Sequence, residues 1–145
     1  MNEFSIKLFD IVRPEDHNIN CAVSKKKGSI SYYTTKKLFI SATLKKSSKY
    51  NKVIKTKSRP LNDIISSSKY KYKKIDFLSI DCEGYDLEVL KTLDFKKYSP
   101  KIICVEIPKE NKNFELKKNK TYKYVVSKNY KLIFSSNNNS MFLKK

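Results

Sequence analysis

The stretch DFLSIDCEGYDLEVL (76–90) gathers five acids, Asp76, Asp81, Glu83, Asp86 and Glu88, in a chain with 32 Lys+Arg against 14 Asp+Glu. Grouped carboxylates can move protons or hold a cationic group, so their placement decides what they can do. The run IDFLSID (75–81) is nearly continuous in apolar residues and reads as a strand inside a parallel sheet. A helix is expected directly after it, with Leu87, Val89, Leu90 and Leu93 as its buried stripe. Asp86 and Glu88 fall in its first turn, where the helix dipole favours an acid by roughly 0.3–1 kcal/mol and no ligand is needed to explain them. Asp81 and Glu83 precede the helix, beyond the carboxyl end of the strand, where open parallel sheets bind ligands. For these two, a site and a helix entrance stand level on physical grounds. Gly84 supplies the freedom for a sharp turn there. Glu106 lies near the end of the second apolar strand, KIICVEI (101–107). If the two strands are neighbours, Asp81 and Glu106 face one crevice. The candidate catalytic residues are therefore Asp81, Glu83 and Glu106.

Other chemistries have less support. The three cysteines, Cys21, Cys82 and Cys104, are odd in number and form no CxxC pair, and the single His17 has only Cys21 near it. No metal site is expected, and reduced thiols in a cytoplasmic protein are the default. The N-terminus has an early acid and no small-residue cleavage site, so it does not read as a signal peptide. No apolar run approaches the ~20 residues of a membrane span. The net charge of +18 attracts polyanions. It is nearly all lysine, with only Arg13 and Arg59 offering the planar fork suited to phosphates and bases. The best local segment for a nucleic-acid or polyanion-binding module is KYKYKK (69–74), where tyrosines between lysines could stack bases. A solvated, lysine-rich loop before a buried strand explains the same residues and is preferred, leaving weak polyanion binding as the alternative function.

The supporting elements follow from periodicity. Residues 3–12 have helical spacing through Phe4, Leu8, Ile11 and Val12, and Arg13-Pro14 ends the helix. NINCAVS (18–24) and SISYYTT (29–35) alternate as strands about the turn KKKG (25–28). Residues 36–50 read as a surface loop and 51–58 as a short edge strand. Pro60 then opens a helix with Leu61, Ile64 and Ile65 on one face. Residues 121–127 leave helix and strand open, and 130–135 with 140–143 form a closing hairpin about the asparagines at 137–139. At 145 residues this is one domain, 1–145, with an open α/β sheet.

The block IDFLSIDCEGYDLEVLKTLDFKKYSPKIICVEI (75–107) resembles the signature half of the FkbM-type methyltransferase family: a strand with IDxEG, a helix opening acid-x-x-Val-Leu, a proline, and a strand ending in an acid. Residues 13–33 and the close NYKLIFSSNNNSMFL (129–143) are similar to the family too, so the resemblance covers nearly the whole chain. It implies a Rossmann-like class I methyltransferase sheet ending in an antiparallel hairpin. It also implies S-adenosylmethionine as cofactor and O-methylation of a small-molecule, sugar-like or glycan acceptor. By that resemblance Asp81 and Glu83 lie beside the methyl-transfer crevice, with Glu106 on the adjoining strand. A carboxylate there could orient or deprotonate an acceptor hydroxyl, or hold a substrate amine. Such enzymes begin with a strand, a glycine-rich turn, a helix and a second strand ending in an acid for the ribose. The two glycines here, Gly28 and Gly84, belong to no such turn. The expectation is an N-terminally truncated member lacking a βα unit and a strand, on the order of 50 residues. Its cofactor-binding residues are not identifiable in this chain, and a partner chain is expected over the open sheet edge.

Overall fold

The computed structural model describes residues 3–34, 42–43, 52–109 and 114–145. Its contacts divide the chain into two compact units, Met1–Lys71 and Tyr72–Lys145, each with its own four-stranded sheet.

In the first unit, α1 (Glu3–Val12) precedes β1 (Ala22–Val23), β2 (Gly28–Thr34), β3 (Ala42–Thr43), β4 (Lys52–Arg59) and α2 (Leu61–Ser66). The order across the sheet is β1-β4-β2-β3. β2 and β4 pair antiparallel over seven residues, from Gly28↔Ser58 to Thr34↔Lys52, and β1 joins β4 in parallel. β4 has strand partners on both sides only at Ser58, with Arg59 paired to β1, and over Lys52–Lys57 it pairs with β2 alone among the described residues, much as expected of an edge strand. The strand expected over 18–24 shrinks to Ala22–Val23 because Cys21 N–H donates to the Ile19 carbonyl at 3.0 Å, bending the chain just before it. Most of the loop expected over 36–50 lies outside the described residues. The buried side chains of this sheet include Tyr32, Thr34 and Ser58.

The second unit holds β5 (Phe77–Ile80), α3 (Asp86–Leu90), β6 (Ile102–Glu106), α4 (Lys120–Ser127), β7 (Tyr130–Ser135) and β8 (Asn139–Lys144). Its strand order is β5-β6-β8-β7. β5 runs parallel to β6, whereas β8 is antiparallel to both β6 and β7. This mixed α/β arrangement with a terminal hairpin is the class of fold the sequence implies. One placement differs. β5 was expected inside a parallel sheet, yet among the described residues it pairs with β6 alone and forms an edge. Its burial alternates accordingly, with Phe77 exposed and Ile80 buried.

The core of this unit lies on the helix-covered face of the sheet. Leu90 of α3, Ile103 and Val105 of β6, Val125 of α4 and Phe142 of β8 are all fully buried. Each side chain of this kind contributes about 1.5–3 kcal/mol relative to an exposed one. Phe142 also meets the Tyr122 ring at 5.7 Å. The ambiguous segment 121–127 is a helix because Asn119 caps it: its Oδ1 accepts from Thr121 N–H at 2.8 Å and Tyr122 N–H at 3.3 Å. Asn129, with φ 69°, leaves the helix in the left-handed conformation that asparagine tolerates. Tyr130 then anchors the return strand, donating its hydroxyl to the Pro100 carbonyl at 2.6 Å.

Candidate functional site

The parallel register of β5 and β6 pairs Phe77 with Ile102 and Ile80 with Val105. The next residue on each strand is an acid, so Asp81 and Glu106 come side by side at the carboxyl ends of the two strands. Glu106 is also the register partner of Asn139 on β8. Its strand end is fixed by Ile107 N–H, which donates to the Asn138 carbonyl at 2.6 Å, and by Lys109 N–H, which donates to the Asn137 carbonyl at 3.0 Å. The hairpin therefore holds one wall of the site, and Asn139 is a polar neighbour that the sequence reading treated only as a turn residue.

Between β5 and α3 the chain makes a tight turn closed by Tyr85 N–H donating to the Cys82 carbonyl at 3.1 Å. Its central residues, Glu83 at φ 50° and Gly84 at φ 89°, are both left-handed. Glycine takes this conformation freely, but for glutamate it costs on the order of 1 kcal/mol, strain of the sort found at functional sites. The turn lifts Glu83 into solvent and swings the chain so that Asp86 points inward.

Asp86 is the residue the sequence reading assigned to helix decoration, and its placement is different. It is only 2% exposed. Neither carboxylate oxygen has a hydrogen-bond partner of normal geometry. Burial pushes its pKa up, opposed by the nearby backbone N–H groups of Asp86, Glu106, Cys82 and Gly84. These amides lie close enough to favour the charged form without closing a hydrogen bond. An acid at the start of a helix and an acid in the interior share one sequence pattern, and only the direction of the preceding turn separates them.

The electrostatics tie these residues into one group. Glu106 is raised by burial first, and then by Asp81, Asp86 and Glu83. The Cys82 thiol is pushed up to about 11 by burial, then Asp86, Asp81 and Glu106. At neutral pH Cys82 is therefore a protonated thiol rather than a nucleophile. Cys104, beneath the cluster on β6, is likewise raised by burial and by Asp81, opposed by a hydrogen bond with the Ser79 side chain. All three predicted residues, Asp81, Glu83 and Glu106, thus converge, and Asp86 joins them. The lysine-rich segment 69–74 is partly engaged within the chain. Lys69 Nζ donates to the Glu15 and Asp16 carbonyls at 2.7 and 3.2 Å, and Tyr70 donates its hydroxyl to Glu15 at 2.7 Å. Two of its six residues are committed to holding a loop.

The sequence matches the Methyltransferase FkbM domain over residues 5–132. The chain belongs to the FkbM methyltransferase family. No curated protein and no solved structure matches it. Membership makes it a methyltransferase in general terms and suggests S-adenosylmethionine as the methyl donor. The two glycines of this FkbM domain, Gly28 and Gly84, stand apart in the sequence and form no glycine-rich turn. A Cβ added at either would meet nothing of the protein within 4 Å, so packing within the chain does not require a glycine there. What this FkbM chain does hold is a carboxylate-lined strand end. Among its described residues, no helix is long and apolar enough to cross a membrane.

Proposed function

We propose that this FkbM domain supplies the acceptor side of an O-methylation crevice for a small or sugar-like acceptor. The observation that carries this reading is the side-by-side placement of Asp81 and Glu106 at the ends of β5 and β6. Glu106 is the proton acceptor. Burial and three neighbouring acids hold its pKa above the usual carboxylate value, which makes it a better base than an exposed glutamate. A hydroxyl hydrogen-bonded to Glu106 would pass it a proton as the oxygen attacks a methyl group. Asp81, exposed beside it, orients the hydroxyl, and Glu83 rims the opening. Alignment of the reacting atoms is the largest contribution such a site can make. S-adenosylmethionine is proposed as donor on family grounds alone.

The reading is tested by incubating the chain with S-adenosylmethionine labelled in the methyl group and a panel of sugars and small alcohols, following label transfer. Transfer that drops about 100-fold or more in Glu106→Gln supports Glu106 as the base, given the 10²–10⁴ range of general-base contributions. Transfer unaffected by that change rejects the assignment. Calorimetric titration with S-adenosylmethionine separates failure to bind the donor from failure of the chemistry.

A further inference from the structure

The acids of this protein are outnumbered by cations, and four of them outside the site are ion-paired. Asp16 pairs with Arg13 at 2.7 Å, Asp63 with Lys27 at 3.4 Å, Glu88 with Lys91 at 2.9 Å and Glu115 with Lys118 at 2.8 Å. The four acids of the site do not. Among the described residues, Asp81, Glu83, Asp86 and Glu106 have no lysine or arginine within ion-pair distance. The charges acting on Glu106 are all negative: Asp81, Asp86 and Glu83.

Asp86 sharpens the point. An enclosed carboxylate with neither a hydrogen bond nor a counter-ion costs several kcal/mol if ionised. Its two oxygens, without hydrogen-bond partners, lie near the amides of Cys82, Gly84 and Glu106, and its charge acts on Glu106. Among the described residues, no cation stands at this point. A cationic ligand would supply the charge that these acids lack. A bare metal ion does not suit it, because no group of three or more His, Cys, Asp or Glu among the described residues is arranged to hold one. A dispersed set of carboxylates fits a larger organic cation that donates several hydrogen bonds. A protonated primary amine offers three.

We propose that the acceptor methylated at this site carries a protonated amine, held by Asp81 and Glu83 at the rim with Asp86 as the enclosed counter-charge behind them. The acceptor class is then an amino sugar or amino alcohol, with its hydroxyl directed to Glu106. This rests on the O-methyltransferase reading above, but amine binding needs neither donor nor turnover.

The chain has two glycines, and they make the test direct. Gly84 sits in the site and Gly28 in the sheet of the first unit, so ¹⁵N-labelled protein has two glycine amide signals, one reporter and one control. Glucosamine is titrated beside glucose, N-acetylglucosamine, magnesium chloride and S-adenosylmethionine. The expected result is a saturable shift of Gly84 with glucosamine, little change with glucose, N-acetylglucosamine or magnesium, and no movement of Gly28. Asp81→Asn with Glu83→Gln should weaken glucosamine binding at least tenfold, while unchanged amide signals from β6 and β8 show that the second unit is folded. A Gly84 signal that ignores glucosamine overturns the proposal. So does one that responds equally to glucose or to magnesium, or that answers only to S-adenosylmethionine. If Gly84 responds as expected and methyl transfer still fails, the amine site stands and the O-methylation reading falls.

Discussion

The two sheets of this protein are of equal strand number and unlike construction. That of Met1–Lys71 is built on a long antiparallel pair, β2 and β4, and its buried residues include Thr34, Ser58 and the hydroxyl-bearing Tyr32. That of Tyr72–Lys145 has a parallel pair, a hairpin and two helices over a core of Leu90, Ile103, Val105, Val125 and Phe142. Among the described residues, backbone pairing is the more prominent in the first and apolar burial in the second. The acidic site grows from the second. A buried charge such as Asp86 needs a well-packed surround to stay enclosed.

The largest test of this contrast is Phe142→Ala, which should cost about 3–5 kcal/mol by emptying the centre of the second core. Tyr32→Ala in the first sheet should cost clearly less, and denaturant unfolding of both variants decides the order. Equal losses would show that the first sheet also relies on its side chains. Next comes Asp86→Asn, which removes the burden of an ionised interior acid. Because the folded pKa of Asp86 is raised, its stabilising share is full below the unfolded value and is lost as pH rises through the folded one. The variant should therefore be more stable than the parent at pH 7, by about 1–3 kcal/mol. The gap should close as pH falls below the ordinary aspartate range near 3.8. Thermal melts across pH read this, and a gap that widens in acid would reverse the sign.

A smaller loss, about 1 kcal/mol, is expected for Asn119→Ala, which removes the cap of α4. Circular dichroism with urea would register it, and full recovery with Asn119→Ser would tie it to the capping oxygen. Smallest is Glu83→Gly. It releases left-handed strain but loosens the unfolded chain, so a gain of roughly 0.5 kcal/mol or less is expected. The parallel change Asn129→Gly should be nearer zero, because asparagine already accepts that conformation. A gain at Glu83 no greater than at Asn129 would remove strain from the description of the site.

Much of this was legible in the sequence, for identifiable reasons. The helix at 3–12, the hairpin near 130–143 and the strand at 102–106 show in short-range period, and so the convergence of Asp81 with Glu106 could be foreseen. The IDxEG block that suggested the FkbM family lies within the residues that match it, 5–132. The parallel contact of β1 with the end of β4 at Ser58 and Arg59 was hidden because it joins segments far apart in the sequence. The edge position of β5 was hidden for a different reason. Its apolar run looks like a strand covered all round. Asp86 was misjudged because sequence spacing says which turn of a helix a residue occupies, not which way the preceding turn points it. Asn139 depended on a register that only the folded hairpin sets.

The outer edge of β5 has a bearing on how the protein behaves in solution. Among the described residues its row of amides and carbonyls is unpaired on one side, with Phe77 exposed beside it, which is how strands from separate molecules come to stack. The net charge of +18 opposes that encounter, since two copies repel before their edges can meet. The repulsion is only as long as its ionic cloud allows, roughly 10 Å at 0.1 M salt and about 3 Å at 1 M. The lysines spread along this chain therefore act as a salt-sensitive guard on one strand, and concentrated salt is the condition under which molecules of this protein should begin to adhere.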